Sequence, residues 1–377
     1  MNDLGLYVHI PFCKSKCHYC DFCSFSHAED EMEAYCDALV KEIEEAARIY
    51  GNRPVSTVYF GGGTPTTLPL PLISTLANAI FHHFSIASDA EITTECNPGT
   101  VDLGYLSSLR ALGFNRISMG AQSMNNRELK LLGRIHTAAD TVETFANARR
   151  AGFENISLDL MLGIPEQTPK SLEGSLAKLV SLAPEHISAY GLKIEEGTPF
   201  FAQKETLPLP DEDTERALYM NTVSFLAEHG YARYEISNFA RSGYESRHNL
   251  RYWKRQDYLG IGLAAHSCIG DHRFWNTTSL PDYLAGKAKE GDETISPNDV
   301  LCETIMLAMR LDKGLNIRAL RERFGEAADS YIEGLLRFLK TGLVRREGDR
   351  IAFTNDGTYV SNAILADVLD FEENNTP

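Results

Sequence analysis

Apolar and polar positions alternate along the first half of the chain with two periods, one typical of strands and one typical of helices. Short β-rich runs predict strands at residues 6–10, 55–60, 92–96, 116–120, 156–162 and 186–192. Apolar residues at helical spacing predict intervening helices at residues 32–50, 70–84, 103–112, 138–151 and 171–182. This alternation predicts an α/β fold in which a parallel sheet with right-handed crossovers forms a partial (β/α)6 barrel.

Functional groups in such sheets gather at the carboxyl ends of the strands. The first predicted strand leads into a cysteine-rich loop, and the second ends in three glycines. Glu95 and Gln122 come at or just after the ends of the third and fourth strands, and Asp159 falls within the fifth. We therefore expect the functional site at this edge of the sheet.

In the second half of the chain the regular alternation of strand and helix patterns ends. Residues 211–229 predict a further helix, and residues 230–290 are less regular, with aromatics and glycines. The pattern then predicts three helices, at residues 300–310, 317–324 and 330–340, followed by a hairpin at residues 342–353. This order predicts a winged-helix-like module. We expect three parts: the barrel over 1–230, a connecting region over 231–298 and the C-terminal module over 299–377.

Composition narrows the class of protein. Hydrophobic residues make up 43% of the 377 residues and charged residues 23%, as in ordinary globular proteins. No apolar run reaches the length of about 18 residues that a membrane span needs, which leaves room only for a peripheral membrane contact. The formal charge of −16 argues against a nucleic-acid-binding face. Because no basic leader precedes the cysteine motif, we expect a cytoplasmic protein.

Cys13, Cys17 and Cys20 form a C-x3-C-x2-C motif directly after the first predicted strand. A cluster held wholly by protein needs four ligands, so three thiolates can hold a [4Fe–4S] cluster and leave one iron open to a cofactor. A zinc site completed by Cys23 or His18 is one alternative, and a group of incidental free thiols is another. The position of the motif in a βα sheet favours radical S-adenosylmethionine (SAM) chemistry, in which SAM chelates the open iron.

Polar residues near the strand ends supply what a SAM pocket needs. The Gly61-Gly62-Gly63-Thr64-Pro65 turn lets bare backbone approach a ligand, and it is neither a P-loop nor a G-x-G-x-x-G turn. Taken singly, Glu95, Gln122, Arg134 and Asp159 would be capping or surface groups. Together they offer acceptors for ribose hydroxyls and a guanidinium fork for a carboxylate.

The sequence resembles the radical SAM family of oxygen-independent coproporphyrinogen III oxidases, and within it the haem-chaperone branch. The resemblance covers nearly the whole chain and includes the C-terminal module and motifs at residues 7–20, 61–65, 95–98, 122–123, 133–136 and 159–167. It implies that Cys13, Cys17 and Cys20 bind the cluster. It also implies a SAM site lined by Tyr7, Tyr19, Gly62, Gly63, Thr64, Glu95, Gln122, Arg134 and Asp159. At Glu166 the family more often has glycine.

Two features favour the chaperone branch over the oxidases of this family. The oxidases carry an N-terminal extension that helps to close the substrate site, whereas here the cysteine strand starts almost at Met1. They also carry a further cysteine two residues after the third ligand, where this chain has Phe22. The string Cys20-Asp21-Phe22 is typical of the chaperone branch, and we expect Cys23 to be a free thiol in a loop.

A histidine beside aromatic residues is the predicted haem site. The string His248-Asn249-Leu250-Arg251-Tyr252-Trp253 resembles the haem-binding motif of the chaperone branch. An imidazole in such surroundings can ligate haem iron while the aromatic rings pack on the porphyrin, although most lone histidines are hydrogen-bonded structural residues. His248 is the predicted ligand, and His266 is its rival.

Three functions follow from these expectations. The favoured one is a chaperone that carries a [4Fe–4S] cluster and SAM, holds haem and passes it to an acceptor apoprotein, for which a respiratory haem protein is one candidate. The alternative is an enzyme of porphyrin biosynthesis that oxidatively decarboxylates two propionates of coproporphyrinogen III through a 5′-deoxyadenosyl radical. The third is a radical SAM enzyme that acts on another substrate. An electron donor for the cluster is expected as a further partner.

Overall fold

The computed structural model describes residues 3–371, and it confirms the predicted alternation. Strands and helices are numbered along the chain. The parallel strands are β1 (Leu4–Ile10), β4 (Pro54–Gly62), β5 (Ser85–Cys96), β6 (Arg116–Gln122), β7 (Asn155–Leu162) and β8 (His186–Gly191). The intervening helices are α1 (Met32–Tyr50), α2 (Leu70–His83), α3 (Leu103–Ala111), α4 (Asn126–Leu131), α5 (Ala138–Arg150) and α6 (Pro169–Ser181). Side chains from β4 to β8 line one cavity, so the sheet curls into the predicted partial barrel.

The central strands are buried on both faces, which explains why they read as continuous apolar runs rather than as alternating patterns. All seven residues of β6 are buried. On one side, α1 covers the sheet with a stripe that includes Tyr35, Leu39 and Ile43, none of which is exposed. This packing fixes the strand ends that carry the site. Among residues 3–371, no helix combines the length and the apolar character needed to cross a bilayer.

Two strands reach further than the sequence predicts. Strand β5, predicted over residues 92–96, begins already at Ser85, which pairs with Pro54 at the start of β4. The first half of β5 is polar, so the apolar pattern does not reveal it. Strand β6 continues to Gln122, whose φ of 61° lies in the left-handed region that ends the regular strand. Glu95 and Gln122 are therefore the closing residues of strands and do not belong to the loops that follow.

The region predicted to be less regular, 230–290, instead extends the sheet at both edges. It follows α7 (Pro199–Ala202) and α8 (Glu212–Glu228) and contains β9 (Ala232–Glu235), β10 (Asn238–Ala240), α9 (Arg247–Trp253), β11 (Tyr258–Ile261), β12 (His266–Ile269), β13 (His272–Asn276), α10 (Leu280–Leu284) and β14 (Lys289–Thr294). Within the described residues the sheet order is β14-β13-β12-β11-β1-β4-β5-β6-β7-β8-β10-β9. Strands of three to six residues carry too few apolar positions to show a period.

The C-terminal module has the predicted winged-helix-like order. It comprises α11 (Pro297–Met309), β15 (Leu315–Asn316), α12 (Ile317–Phe324), α13 (Asp329–Leu336), β16 (Val344–Glu347), β17 (Arg350–Phe353), α14 (Asn355–Tyr359) and α15 (Ser361–Val368). A two-residue strand that the sequence did not reveal, β15, pairs with β17 beside the predicted hairpin. The module has its own apolar core. Residues 1–2 and 372–377, the outer ends of the first and third predicted parts, lie outside the described residues.

Candidate functional site

A cavity of about 550 Å³ opens at the carboxyl ends of the parallel strands. It brings together nearly all of the residues predicted for the cluster and for SAM. The predicted residues that line it are Cys13, Cys17, Cys20, Tyr19, Gly62, Gly63, Thr64, Glu95, Gln122, Arg134 and Asp159. Two predicted residues lie elsewhere: Tyr7 lines a neighbouring cavity, and His248 is buried. We call the larger space the cluster cavity.

The cysteine loop is anchored to the barrel by backbone bonds. Cys13 lies on the short strand β2 (Phe12–Cys13), which pairs with β3 (Phe25–Ser26). The His18 amide donates to the carbonyl of Leu132 (3.1 Å), and the Phe200 amide donates to the carbonyl of His18 (3.0 Å). The three motif cysteines are half-buried, are free of disulfides and face one cavity. Three half-buried thiols on one cavity wall are the donor set that the cluster hypothesis requires.

The glycine turn places bare backbone against the cysteine loop. The amide of Gly63 donates to the carbonyl of Ile10 (2.9 Å), and the amide of Thr64 donates to the carbonyl of Phe12 (2.8 Å). Gly62 has a φ of 112°, and a Cβ there would lie 2.5 Å from the imidazole of His9. The turn therefore requires glycine at this position both for conformation and for space.

Replacing Gly63 with alanine should disturb the cluster loop. The added methyl would lie 2.8 Å from the carbonyl oxygen of Phe12 and 3.0 Å from the sulfur of Cys13, and a backbone oxygen cannot move without shifting the loop. We expect SAM affinity, measured by calorimetry on reconstituted protein, to fall by about tenfold, since overpacking costs about 1–3 kcal/mol. Gly174→Ala is the matched control, because no atom of the described residues lies within 4 Å of that added methyl. Equal affinities for the two variants would contradict this account of the turn.

Arg134 connects the cysteine loop with β6. Its Nη1 donates to the sulfur of Cys17 (3.4 Å), and its Nη2 donates to Asn97 Oδ1 (2.5 Å) and to the carbonyl of Gly120 (2.8 Å). Asn97 in turn donates to Thr64 Oγ1 (2.8 Å). The buried Nε of Arg134 has no hydrogen-bond partner among the described residues. A guanidinium with a spare donor at the cavity wall fits a ligand carboxylate.

Two carboxyl groups face the cluster cavity from β5 and β7. Strand register sets Glu95 beside Ser118, whose hydroxyl donates to Asp159 (3.2 Å), and the Tyr59 hydroxyl donates to Glu95 (2.7 Å). Burial raises the pKa of Glu95 to about 7 and the pKa of Asp159 to about 6. Each carboxyl keeps acceptor capacity toward the cavity, which suits ligand hydroxyls or a cationic ligand.

Several residues of this cavity were not found from the sequence. Asn97 and Tyr59 hold Arg134 and Glu95 in place, and the Tyr190 hydroxyl donates to Gln122 (2.8 Å). Arg116 is 2% exposed inside the barrel, and its buried Nε has no partner among the described residues. Only Asn97 carried a signal, as part of the motif at residues 95–98, because a tyrosine or an arginine within a strand is not distinctive.

His248 lies under the barrel wall rather than at a free surface. It is 1% exposed and stacks on the Tyr59 ring, with centroids 5.2 Å apart. Its Nδ1 is hydrogen-bonded to Thr57 Oγ1 (2.9 Å), and its Nε2 is hydrogen-bonded to the Tyr252 hydroxyl (2.8 Å). Burial lowers the pKa of His248 to about 3, so the imidazole is neutral. Its role as an iron ligand stays a prediction, and ligation requires that one of these bonds breaks.

A second cavity of about 390 Å³ adjoins the cluster cavity. Its lining residues are Tyr7, His9, Phe22, Cys23, Gly62, Glu95, Tyr252, Tyr258, Ala264 and His266. Phe22, Gly62 and Glu95 also line the cluster cavity, so the two spaces share a wall. We call this space the aromatic cavity. It is large enough, and apolar enough, to hold part of a flat organic ligand.

Comparison with known proteins places this site in a family. Residues 7–179 match the Radical SAM superfamily, and residues 295–360 match the HemN C-terminal domain. The heme chaperone HemW of Bacillus subtilis is 35% identical over 372 residues, which cover 96% of this chain and 98% of that protein. The chain belongs to the HemW family. The heme chaperone HemW of Escherichia coli is 36% identical over 317 residues, 82% of this chain and 83% of its own.

A solved structure extends the HemW-family comparison to the fold. Coproporphyrinogen III oxidase (HemN) of Escherichia coli, described as a radical SAM enzyme, superposes with a TM-score of 0.87 at 29% identity. The match covers 97% of this chain and 90% of that one. Radical SAM architecture is thereby confirmed for this HemW-family chain, as is the resemblance read from its motifs.

Proposed function

We propose that this chain is a haem chaperone that binds a [4Fe–4S] cluster, SAM and haem and delivers haem to an acceptor protein. The proposal rests on similarity over 98% of the length of a Bacillus subtilis relative named as a heme chaperone. Two adjoining cavities support it, since one is lined by the motif cysteines and the other by aromatic side chains. We also propose that the chain is divided into the three parts predicted from the sequence, over residues 1–230, 231–298 and 299–377.

The residues of the cluster cavity fit the cofactors that the family implies. In this proposal Cys13, Cys17 and Cys20 hold the cluster, whose open iron supplies a binding position for SAM when both are present. Arg134 would donate to the SAM carboxylate, and the backbone of the Gly62–Gly63 turn would face the SAM amino group. Glu95, Gln122 and Asp159 would accept hydrogen bonds from the ligand. Tyr19 and Thr64 complete the walls of the cluster cavity, and Tyr7 would approach the ligand from the adjoining aromatic cavity.

The expected partners follow from this role. We propose an acceptor apoprotein, a respiratory haem protein being one candidate, and an electron donor that approaches the exposed cysteine loop, where Phe22 is 64% exposed. A net charge of −16 gives no support to a nucleic-acid partner. A cytoplasmic location suits the free thiols, because that compartment keeps thiols reduced.

The second candidate function is oxygen-independent coproporphyrinogen III oxidation, which the superposition on HemN favours. Reconstituted protein incubated with coproporphyrinogen III, SAM and a reductant distinguishes the two functions. We expect haem binding and no stoichiometric conversion to protoporphyrinogen IX. Conversion of that substrate with matching consumption of SAM would overturn the chaperone proposal.

Haem titration tests the predicted motif. We expect His248→Ala to weaken haem binding by about tenfold, because loss of the imidazole leaves Thr57 and Tyr252 without their partner. Absorbance titration of reconstituted wild type and variant measures the difference. His272→Ala is the control, since that histidine is on β13 and lines neither cavity. Equal affinity in all three proteins would remove the motif from haem binding.

A further inference from the structure

Two of the three histidines near the aromatic cavity are already committed to hydrogen bonds. His9 Nδ1 is bonded to the Tyr7 hydroxyl (3.0 Å), and His9 Nε2 is bonded to the carbonyl of Cys23 (2.8 Å). His248 is likewise bonded through both ring nitrogens, and it lies behind Tyr252 rather than on the cavity wall. Neither imidazole offers a lone pair to a metal without losing a buried bond.

The third histidine is in the opposite situation. His266 is exposed and lines the aromatic cavity, and neither of its ring nitrogens has a hydrogen-bond partner within residues 3–371. It is nevertheless held in place. On the adjacent strand, Trp275 is its register partner, and the two rings stack with centroids 5.9 Å apart and planes 20° apart. The imidazole is thus supported on one face while both nitrogens stay available.

A small residue makes room for this support. Gly291 on β14 is the register partner of Trp275, and a Cβ at Gly291 would lie 2.5 Å from the indole. The indole can therefore lie flat across β14 and present its face to the imidazole of His266. Three neighbouring strands together position this one histidine, which is more than a solvated surface histidine needs.

We propose that His266 supplies the imidazole that ligates haem iron, and that part of the porphyrin lies in the aromatic cavity. This inference rests on the proposed function, and it reassigns the ligand within it. Tyr7, Tyr252 and Tyr258 supply aromatic surface for the macrocycle. An exposed iron ligand would also suit delivery, because a ligand from the acceptor could replace His266 without any change in oxidation state.

The same contacts give His248 a different role. Its Nε2 is bonded to the Tyr252 hydroxyl, and Tyr252 lines the aromatic cavity. The carboxylate of Glu91 accepts from the amides of Arg247 and His248 (both 3.0 Å), which fixes the start of α9. His248 is therefore a positioning residue that holds a cavity wall, and its replacement weakens haem binding without removing the iron ligand.

Haem titration of the reconstituted full chain, combined with resonance Raman spectra of the ferrous haem complex, tests this assignment. We expect an iron–imidazole band in wild type and in His248→Ala, and its loss in His266→Ala together with an affinity loss of about tenfold or more. Added free imidazole should restore the band in His266→Ala. His272→Ala, which changes a half-buried histidine outside both cavities, should match wild type.

The outcomes separate this inference from the proposed function. If His266→Ala keeps the band and the affinity, or if His248→Ala alone loses the band, the assignment to His266 is overturned while haem binding stands. If wild type binds no haem, the proposed function fails and the assignment fails with it. Iron content and SAM binding should be unchanged in His266→Ala, because His266 does not line the cluster cavity, and this verifies the fold of the variant.

Discussion

Replacing Cys17 with serine is expected to empty the cluster site, so that iron after anaerobic reconstitution falls from about four atoms per chain to near zero. A serine hydroxyl is a poor iron ligand compared with a thiolate, and the two remaining cysteines cannot hold the cluster. Cys17 also accepts the hydrogen bond from Arg134 Nη1 that ties the loop to the barrel. Iron analysis and loss of the brown charge-transfer absorbance measure the effect.

Cys23→Ser is the matched control for this experiment. Cys23 follows the motif by three residues, is half-buried and lines the aromatic cavity rather than the cluster cavity. We expect its iron content to equal that of wild type. An unchanged spectrum in Cys17→Ser would remove Cys17 from the ligand set, and a loss of iron in Cys23→Ser would add a fourth protein ligand and exclude an open iron.

Glu95→Gln should weaken SAM binding by about tenfold to a hundredfold at pH 8, since a hydrogen bond to a charged group contributes about 1.5–3 kcal/mol. Wild-type affinity should rise as pH increases through about 7, where the Glu95 carboxyl ionises. The affinity of the variant should not show this rise. Calorimetric titration with SAM from pH 6 to pH 8.5 measures both curves, and Glu143→Gln, at an exposed position of α5, is the control.

The same substitution should stabilise the cofactor-free protein at alkaline pH. Burial is the main cause that raises the pKa of Glu95 from 4.5 to about 7, although the Tyr59 hydrogen bond opposes it. The contribution of the Glu95 carboxyl to the stability of folded wild type is therefore fully present below pH 4.5 and is lost as pH rises through about 7. We expect the free energy of unfolding of Glu95→Gln to exceed that of wild type by about 1–2 kcal/mol at pH 8. This is less than the full pKa shift would give, because the carboxyl group faces a cavity.

Denaturant unfolding of cofactor-free wild type and Glu95→Gln at pH 5 and pH 8 measures this difference. At pH 5 the two should be nearly equal, because the wild-type carboxyl is then mostly protonated in the fold. A variant that binds SAM less well and yet is more stable would show that Glu95 strengthens SAM binding while it lowers the stability of the fold. A variant that is less stable at both pH values would contradict the assignment of the raised pKa to burial.

Short-range patterns explain why the barrel was predictable. Strands such as β7, with the run Ile156-Ser157-Leu158-Asp159-Leu160, are buried on both faces and so show their identity in apolar content alone. The edge strands lack this apolar content, and the sequence therefore did not predict them. In β14 no residue is buried, and its position in the sheet depends on pairing with β13 rather than on its own composition.

The cluster motif was predictable because its chemistry is local: three thiols within eight residues are positioned by one loop. The surroundings of each polar residue were not, because their partners come from distant parts of the chain. Arg134 reaches Cys17 across 117 residues, and His248 reaches Thr57 across 191. No spacing rule connects such pairs until the strands are in register.

By itself, the sequence determined the βα alternation, the three-cysteine loop and the set of polar groups at the strand ends, since each depends on residues close together in the chain. Only the tertiary structure decided which groups have spare hydrogen-bonding capacity. It buried the imidazole of His248 between Thr57 and Tyr252, and it left that of His266 supported by Trp275 but without a hydrogen-bond partner among the described residues. The physical reason is that a side chain's availability depends on the strands and helices packed around it, which its neighbours in sequence do not specify.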